Sequence, residues 1–125
     1  MKEIIVTELA PQAIGPYSQG VKTGGFVFLS GQIALDPATG ELVAGGIAAE
    51  TERVMENIAG ALAAAGLGFE SVVKTTIFLT DLADFGVVNG IYGKRFPVTP
   101  PACSTVQVAA LPRGACVEIE VIAHF

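Results

Sequence analysis

The alternation of apolar and polar positions along the chain predicts six strands. The segments rich in β-branched and aromatic residues are Lys2–Thr7, Tyr17–Lys22, Phe26–Ser30, Ser71–Thr80, Ala102–Val108 and Cys116–Ala123. Thr23–Gly25 is typical of a hairpin connection, and Asp36–Gly40 is typical of a tight turn. Between the first two strands, Pro11 and Pro16 predict a loop, because proline lacks a backbone donor and fixes φ.

Two segments have a helical period instead. From Ile47 to Ala65 apolar residues recur three and four positions apart, and Gly66 follows as a residue that can end the helix. A second helix is predicted after the N-cap candidate Asp81, with an apolar face made of Phe85, Val88, Tyr92 and Phe96. Pro97 and the prolines after it cannot continue that helix.

The predicted order β-β-β-α-β-α-β-β indicates one α+β domain spanning residues 1–125. We expect a two-layer sandwich, in which a mixed sheet of about six strands is covered on one face by two helices. In the last strand, an apolar row alternates with a polar row, Val117, Ile119 and Val121 against Cys116, Glu118 and Glu120. In the strand before it, the row expected beneath the helices is Ser104, Val106 and Val108. The opposite sheet face, with its carboxylates, is where we expect a site.

Composition adds an expectation about assembly. Only 15% of the residues are charged and 51% are hydrophobic, whereas ordinary domains have about 25% charged residues. So few charges cover a monomer's surface thinly, which predicts an oligomer. The formal net charge is −5, and the basic residues are scattered. A nucleic-acid-binding function is therefore not expected, because that function needs a basic patch.

Other classes of protein are also disfavoured. No stretch has the roughly 18 consecutive apolar residues of a membrane helix, and the first residues do not form a signal peptide. A cytoplasmic location is expected, with Cys103 and Cys116 as free thiols. With His124 as the single histidine, neither a metal site nor a Ser-His-Asp triad is expected. The chain also lacks a phosphate-binding loop.

Several residues have both a structural and a functional interpretation. Glu118, which shares a strand face with Glu120, is either part of a solvated surface or a general base that orients water. Gly31, after Ser30, either serves a turn or lets a ligand approach the backbone. Asn89 is either a buried hydrogen-bonding residue or a ligand contact.

Cys103 follows a rigid proline pair. It is either an inert small residue or a reactive nucleophile, and no basic residue accompanies it in the sequence. Arg113 lies ten residues further on, beyond a turn, and nothing in the sequence places it near these candidates.

Several segments in order resemble the Rid family of reactive intermediate deaminases. They are Ile14–Gly20, Ser30–Ile33, Val73–Leu79, Val88–Asn89 with Tyr92, and Glu118–Ala123. The likeness runs from end to end without large insertions. It implies a chorismate-mutase-like fold and a homotrimer with three clefts between subunits that bind small carboxylates. It also implies hydrolysis of 2-imino acids, or their enamine tautomers, to 2-oxo acids and ammonia without metal or cofactor.

The resemblance also assigns roles to residues. Tyr17 would line the cleft, Ser30 and Gly31 would supply backbone contacts, Asn89 would shape the pocket, and Glu118 would position the attacking water. The chain departs from the deaminase pattern at Cys103, where these enzymes have an arginine that clamps the substrate carboxylate. A thiol cannot supply the planar pair of donors that a carboxylate accepts.

The departure at Cys103 leaves three explanations: a subgroup with another ligand, a natural loss, or an engineered substitution. The sequence thus predicts a Rid-type imine or enamine deaminase whose activity is weakened at Cys103. The alternative is a non-catalytic trimer that binds a small carboxylate, such as a 2-oxo acid, or another protein.

Overall fold

The computed structural model covers residues 1–125 and has six strands and two helices. The strands are β1 (Glu3–Ile5), β2 (Gly20–Thr23), β3 (Phe26–Gln32), β4 (Val72–Leu79), β5 (Ala102–Gln107) and β6 (Val117–His124). The helices are α1 (Gly46–Ala64) and α2 (Phe85–Gly93). No helix combines the length and the apolar character that are needed to cross a bilayer.

The six strands form one sheet in the order β1-β2-β3-β6-β4-β5. Only β4 and β5 are parallel, so the sheet is mixed. The helix α1 packs on β3 and β6, and α2 packs beside α1 on the same face of the sheet. The predicted α+β sandwich is therefore confirmed.

The core lies between this sheet face and the helices. The apolar row of β6, Val117, Ile119 and Val121, is at most 2% exposed, as its alternation predicts. From α1, Val54, Ile58 and Leu62 pack against it, with the four-residue spacing of one helix face. In α2, Val88 and Tyr92 are buried, whereas Phe85 at its start is 41% exposed.

The element ends differ in detail from the prediction. β2 begins at Gly20 rather than Tyr17, because the preceding residues belong to a loop. The Asp81 side chain accepts a hydrogen bond from the backbone of Ala83, so it caps a short 3₁₀ turn that leads into α2. Gly66 has a φ of 74° just after α1, as expected of the residue that ends a helix.

The predicted orientation of β5 was wrong. The sequence predicts Ser104, Val106 and Val108 beneath the helices, but the alternate residues of β5 face the helices instead. The parallel pairing aligns Cys103 with Thr75, a buried residue of β4, so both point to the helical layer. Val106 lies on the open face and is 43% exposed. The apolar character of Val106 did not indicate burial in the core, because this residue lies on the open, partly apolar face of the sheet.

The sheet face away from the helices carries a continuous apolar row. Across four adjacent strands the paired residues are Ile4, Val21, Phe28 and Ile122. Phe28 is 43% exposed and Ile4 is 47% exposed. Large apolar groups aligned on an open sheet are typical of a surface that another chain covers.

Candidate functional site

A pocket of about 630 Å³ opens beside the end of β3. Polar and charged groups from four separate parts of the chain line it, among them Tyr17, Gln19, Ser30, Gly31, Arg113 and Glu118. Four of the six residues singled out from the sequence, Tyr17, Ser30, Gly31 and Glu118, are thus brought together. They converge because β3 and β6 are neighbours in the sheet although far apart in sequence.

A β-bulge places Ser30 and Gly31 at this pocket. Leu29 pairs with Val121, but Gln32 pairs with Ile119, so β3 contains one residue more than its partner strand. The extra residue lets Leu29 and Gln32 both face the core. The Ser30 hydroxyl donates to the carbonyl oxygen of Ser18 at 2.5 Å, which fixes the bulge against the preceding loop.

Gly31 is required for space rather than for backbone conformation. A Cβ atom at this position would overlap the Glu118 carboxylate, because the Glu118 side chain lies directly over the glycine. The φ angle of Gly31 is not positive, so an alanine there would not strain the backbone. The glycine therefore makes room for the carboxylate against β3.

Glu118 is half-buried in this position. Burial raises the pKa of its carboxyl group above the ordinary value of 4.5, and the negative charge of Glu120 on the same strand face raises it further. No cation pairs with Glu118 within ion-pair distance. A carboxylate held in this way is a better proton acceptor than a solvated one.

The loop before β2 forms one wall of the pocket, and Gln19 holds it. The Gln19 side chain accepts a hydrogen bond from the Thr7 backbone at 2.8 Å and donates to the carbonyl oxygens of Thr7, Ala10 and Pro11. Tyr17 stands at the rim, 54% exposed, and its hydroxyl accepts from the Ile14 backbone. Sequence reasoning did not single out Gln19, although a glutamine beside a buried strand signals a hydrogen-bonding role.

Asn89 and Cys103 do not line this pocket. Cys103 is exposed on β5, on the sheet face that carries the helices. Beside it lies Tyr92, whose hydroxyl forms a hydrogen bond of 2.7 Å with the Thr75 hydroxyl. Burial raises the pKa of Tyr92 to about 12, and the nearby thiol contributes a smaller increase. Asn89 is exposed one turn before Tyr92 on α2. Within one chain, the candidate residues therefore form two separate groups: those that line the pocket with Glu118, and the exposed Asn89 and Cys103 near Tyr92.

Arg113 lines the pocket with Glu118, although nothing in the sequence placed it there. It lies in a short turn, Pro112–Gly114, that leads back into β6. No periodicity or motif signals this placement, because the fold of the connecting turn decides it.

A larger and more open groove of about 1030 Å³ runs between the N-terminal segment and α1. Two of its charged groups interact with neighbours: Arg53 donates to Asn57, and Glu56 pairs with Arg95 at 2.6 Å. Gly60 fits there under the Leu9 backbone, so the groove follows from packing of the N-terminal loop on α1. No three His, Cys, Asp or Glu side chains in the chain are grouped to hold a metal ion.

The fit of Gly31 to Glu118 gives a testable expectation. Gly31→Ala should displace the Glu118 carboxylate toward solvent and lower its pKa toward the ordinary value, because burial is the main cause of the shift. The melting temperature should change little, since the displaced atoms are the flexible end of a side chain. Titration of the carboxyl carbon by NMR measures the pKa. In the matched variant Gly86→Ala, the new methyl group meets no neighbour, so an equal shift there would contradict the explanation.

Comparisons with known proteins identify relatives that span the whole chain. The family model described as Endoribonuclease L-PSP matches residues 7–125. Protein DfrA of Myxococcus xanthus is 58% identical over 124 residues, which are 98% of this chain and 95% of that protein. A 2-iminobutanoate/2-iminopropanoate deaminase of Mus musculus is 50% identical, covering 98% and 91% of the two chains. A Yersinia pestis protein of unknown function of the conserved Rid family superposes with a TM-score of 0.98 at 48% identity over all of both chains.

Proposed function

This chain belongs to the endoribonuclease L-PSP family, also called the Rid family, and we propose that it hydrolyses 2-imino acids to 2-oxo acids and ammonia. The enamine tautomers of these imines enter the same reaction after a proton has moved from the nitrogen to the β-carbon, which gives the imine. The observation that carries the proposal is the Glu118 carboxylate, which lies over Gly31 with a raised pKa and no bound cation. Such a group can accept a proton from water at a small reactive substrate.

The reaction needs only proton transfer and addition of water. Glu118 accepts a proton from a water molecule as the water oxygen forms a bond to the imine carbon. The proton then passes to the nitrogen, which gives a carbinolamine. As the carbon–nitrogen bond breaks, the hydroxyl proton also moves to the nitrogen, so ammonia leaves and the carbon becomes the carbonyl carbon of the 2-oxo acid. One water is consumed for each imine, and no electrons are gained or lost, so the chemistry requires no metal or cofactor.

We further propose that the chain acts as a homotrimer. The pocket with Glu118 and the surface with Asn89 and Cys103 are separate in one chain, and subunit contacts would join one group to the other across a cleft. The apolar row on the open sheet face supports such an assembly. Sedimentation equilibrium at micromolar concentration tests it, and a mass near 12.8 kDa, that of a single chain, would reject it.

We also propose, from the resemblance of the surrounding sequence, that Cys103 stands in this cleft where the deaminases have a carboxylate-clamping arginine. We propose that the activity is weakened for this reason, because a thiol cannot replace a charged, bidentate hydrogen-bond donor. Removing one partner of a buried charged hydrogen bond costs about 2–5 kcal/mol. We therefore expect the chain to catalyse the same reaction as the deaminases, at a lower rate.

The family description also names an endoribonuclease, and the charges of this chain favour the small-molecule substrate. The formal net charge is −5, and Arg113 is the only basic residue lining the pocket. An RNA backbone needs several basic contacts to replace its counterions. A 2-imino acid, with one carboxylate, needs a single cation.

The direct test supplies the imine enzymatically. A pyridoxal-phosphate threonine dehydratase releases 2-iminobutanoate from threonine, and formation of 2-oxobutanoate is then followed with and without this protein. Acceleration beyond the uncatalysed hydrolysis is expected. If the rate is unchanged while 2-oxobutanoate still raises the melting temperature, the protein is the carboxylate-binding trimer considered as the alternative.

A further inference from the structure

The pocket contains one cation and one anion. Arg113 is the only basic residue that lines it, and Glu118 is the only acidic one. The two do not form an ion pair with each other. We propose that Arg113 binds the carboxylate group of the substrate in this pocket and so compensates in part for the arginine that is replaced by Cys103. This inference rests on the proposed function, and it names the residue that selects a carboxylate-bearing imine.

The Arg113 guanidinium is free to bind a ligand. It makes no hydrogen bond within the chain, and its nearest acidic partner, the Glu41 carboxylate, is 3.8 Å away. The Arg113 and Glu41 side chains are 45% and 78% exposed, and an ion pair this long and this exposed contributes little. By contrast, Arg95 is held by Glu56 at 2.6 Å. A planar group with five unused donors is suited to binding a carboxylate through two parallel hydrogen bonds.

The backbone at Arg113 is also unusual. Its φ of 62° makes it the only residue other than glycine with a positive φ in the chain. Glycine would adopt this left-handed conformation without strain, and the next residue, Gly114, already does so. Strained positions of this kind are concentrated at functional sites. Pro112, which precedes Arg113, restricts the turn and so limits where the side chain can point.

The placement of the two charges matches a 2-imino acid. In that molecule the carboxylate is bonded directly to the imine carbon, so a cation that holds the carboxylate also fixes the carbon that water attacks. Glu118 and Arg113 line the same pocket of about 630 Å³ and do not neutralise each other, so both charges remain available to a small ligand. A neutral imine of the same size would lack the contact to Arg113.

Arg113→Gly is the decisive variant. It removes the guanidinium and relieves the positive φ, so the melting temperature should equal or exceed that of the unaltered protein. Calorimetric titration with 2-oxobutanoate should give a dissociation constant about ten- to a hundredfold higher, as expected for loss of a charged hydrogen-bonding group. Binding of the uncharged 2-oxobutanamide should not change. Arg113→Lys, which keeps the charge but not the planar fork, should give an intermediate value.

Glu41→Gln is the matched control. If the exposed pair with Glu41 gave Arg113 a merely structural role, this variant would weaken 2-oxobutanoate binding as much as Arg113→Gly does, and that result would overturn the inference. We expect binding to stay equal or become tighter, because the competing carboxylate is gone.

The remaining outcomes separate this inference from the proposed function. Undiminished 2-oxobutanoate binding by Arg113→Gly overturns the role of Arg113 even if imine hydrolysis is observed. Weakened binding by Arg113→Gly in a protein that does not accelerate imine hydrolysis supports Arg113 and rejects the deaminase. If the unaltered protein binds 2-oxobutanoate no better than 2-oxobutanamide, Arg113 is not a carboxylate site.

Discussion

Glu118→Gln is expected to lower kcat/KM for 2-iminobutanoate by about 10²- to 10⁴-fold, the usual contribution of a general base. Glutamine has nearly the same shape and fits over Gly31, but it cannot accept the proton from water. The rate of 2-oxobutanoate formation in the dehydratase-coupled assay measures the loss. A variant that retains most of the activity would show that Glu118 is not the base.

Glu120→Gln is the control for this variant, because it removes a carboxylate two residues away on the same strand face. Activity at neutral pH should remain near that of the unaltered protein. Since the charge of Glu120 helps to raise the pKa of Glu118, its removal should move the acid limb of the pH–rate profile to lower pH. The limb should stay above pH 4.5, because burial is the larger cause of the shift.

The raised pKa of Glu118 also has a consequence for stability. Below pH 4.5 the carboxyl is protonated in the folded and unfolded chains, and it adds no penalty to folding. As the pH rises from there through the folded-state pKa, the unfolded chain ionises more readily, so the folded state loses stability. Glu118→Gln should therefore melt at a higher temperature at pH 7 and at an unchanged temperature at pH 4. A lower melting temperature at pH 7 would contradict the direction of the shift.

Cys103→Arg is expected to raise kcat/KM for 2-iminobutanoate by about 10- to 10³-fold. The substitution supplies a planar, charged donor at a position that the proposed trimer brings to the cleft. Removing such a donor from a charged pair costs about 2–5 kcal/mol, of which the new side chain should recover a part. Cys103 is exposed on β5, so the longer side chain can be accommodated. Cys103→Gln adds length without charge and should leave the rate unchanged.

The gain from Cys103→Arg also depends on Arg113. If both arginines bind the same carboxylate, their effects are not additive, and Cys103→Arg should increase the rate more in an Arg113→Gly protein than in the unaltered one. Equal gains in the two backgrounds would place the two guanidinium groups on different parts of the ligand. No gain in either would mean that Cys103 does not limit the reaction.

Local residue patterns were sufficient to identify the elements of the fold. The period of Ile47–Ala65 predicted α1 to within one residue at each end, and the alternation in β6 predicted which residues are buried. Glu118 could be selected as a candidate base because a strand's alternation places it opposite the buried Val117 and Ile119. These features depend only on residues close together in one helix or strand, and the local sequence is therefore sufficient to predict them.

The tertiary structure decided the parts of the site that depend on how elements pair. The parallel register of β4 and β5 turned Cys103 toward the helical layer and Val106 away from it, which the mixed composition of β5 does not signal. A one-residue bulge in β3 and the turn Pro112–Gly114 brought Gly31 and Arg113 to the pocket of Glu118. By itself the sequence determined the family, the layers and the candidate carboxylate. Strand order, register and turn geometry are long-range properties, and only they determined which charge lies opposite that carboxylate.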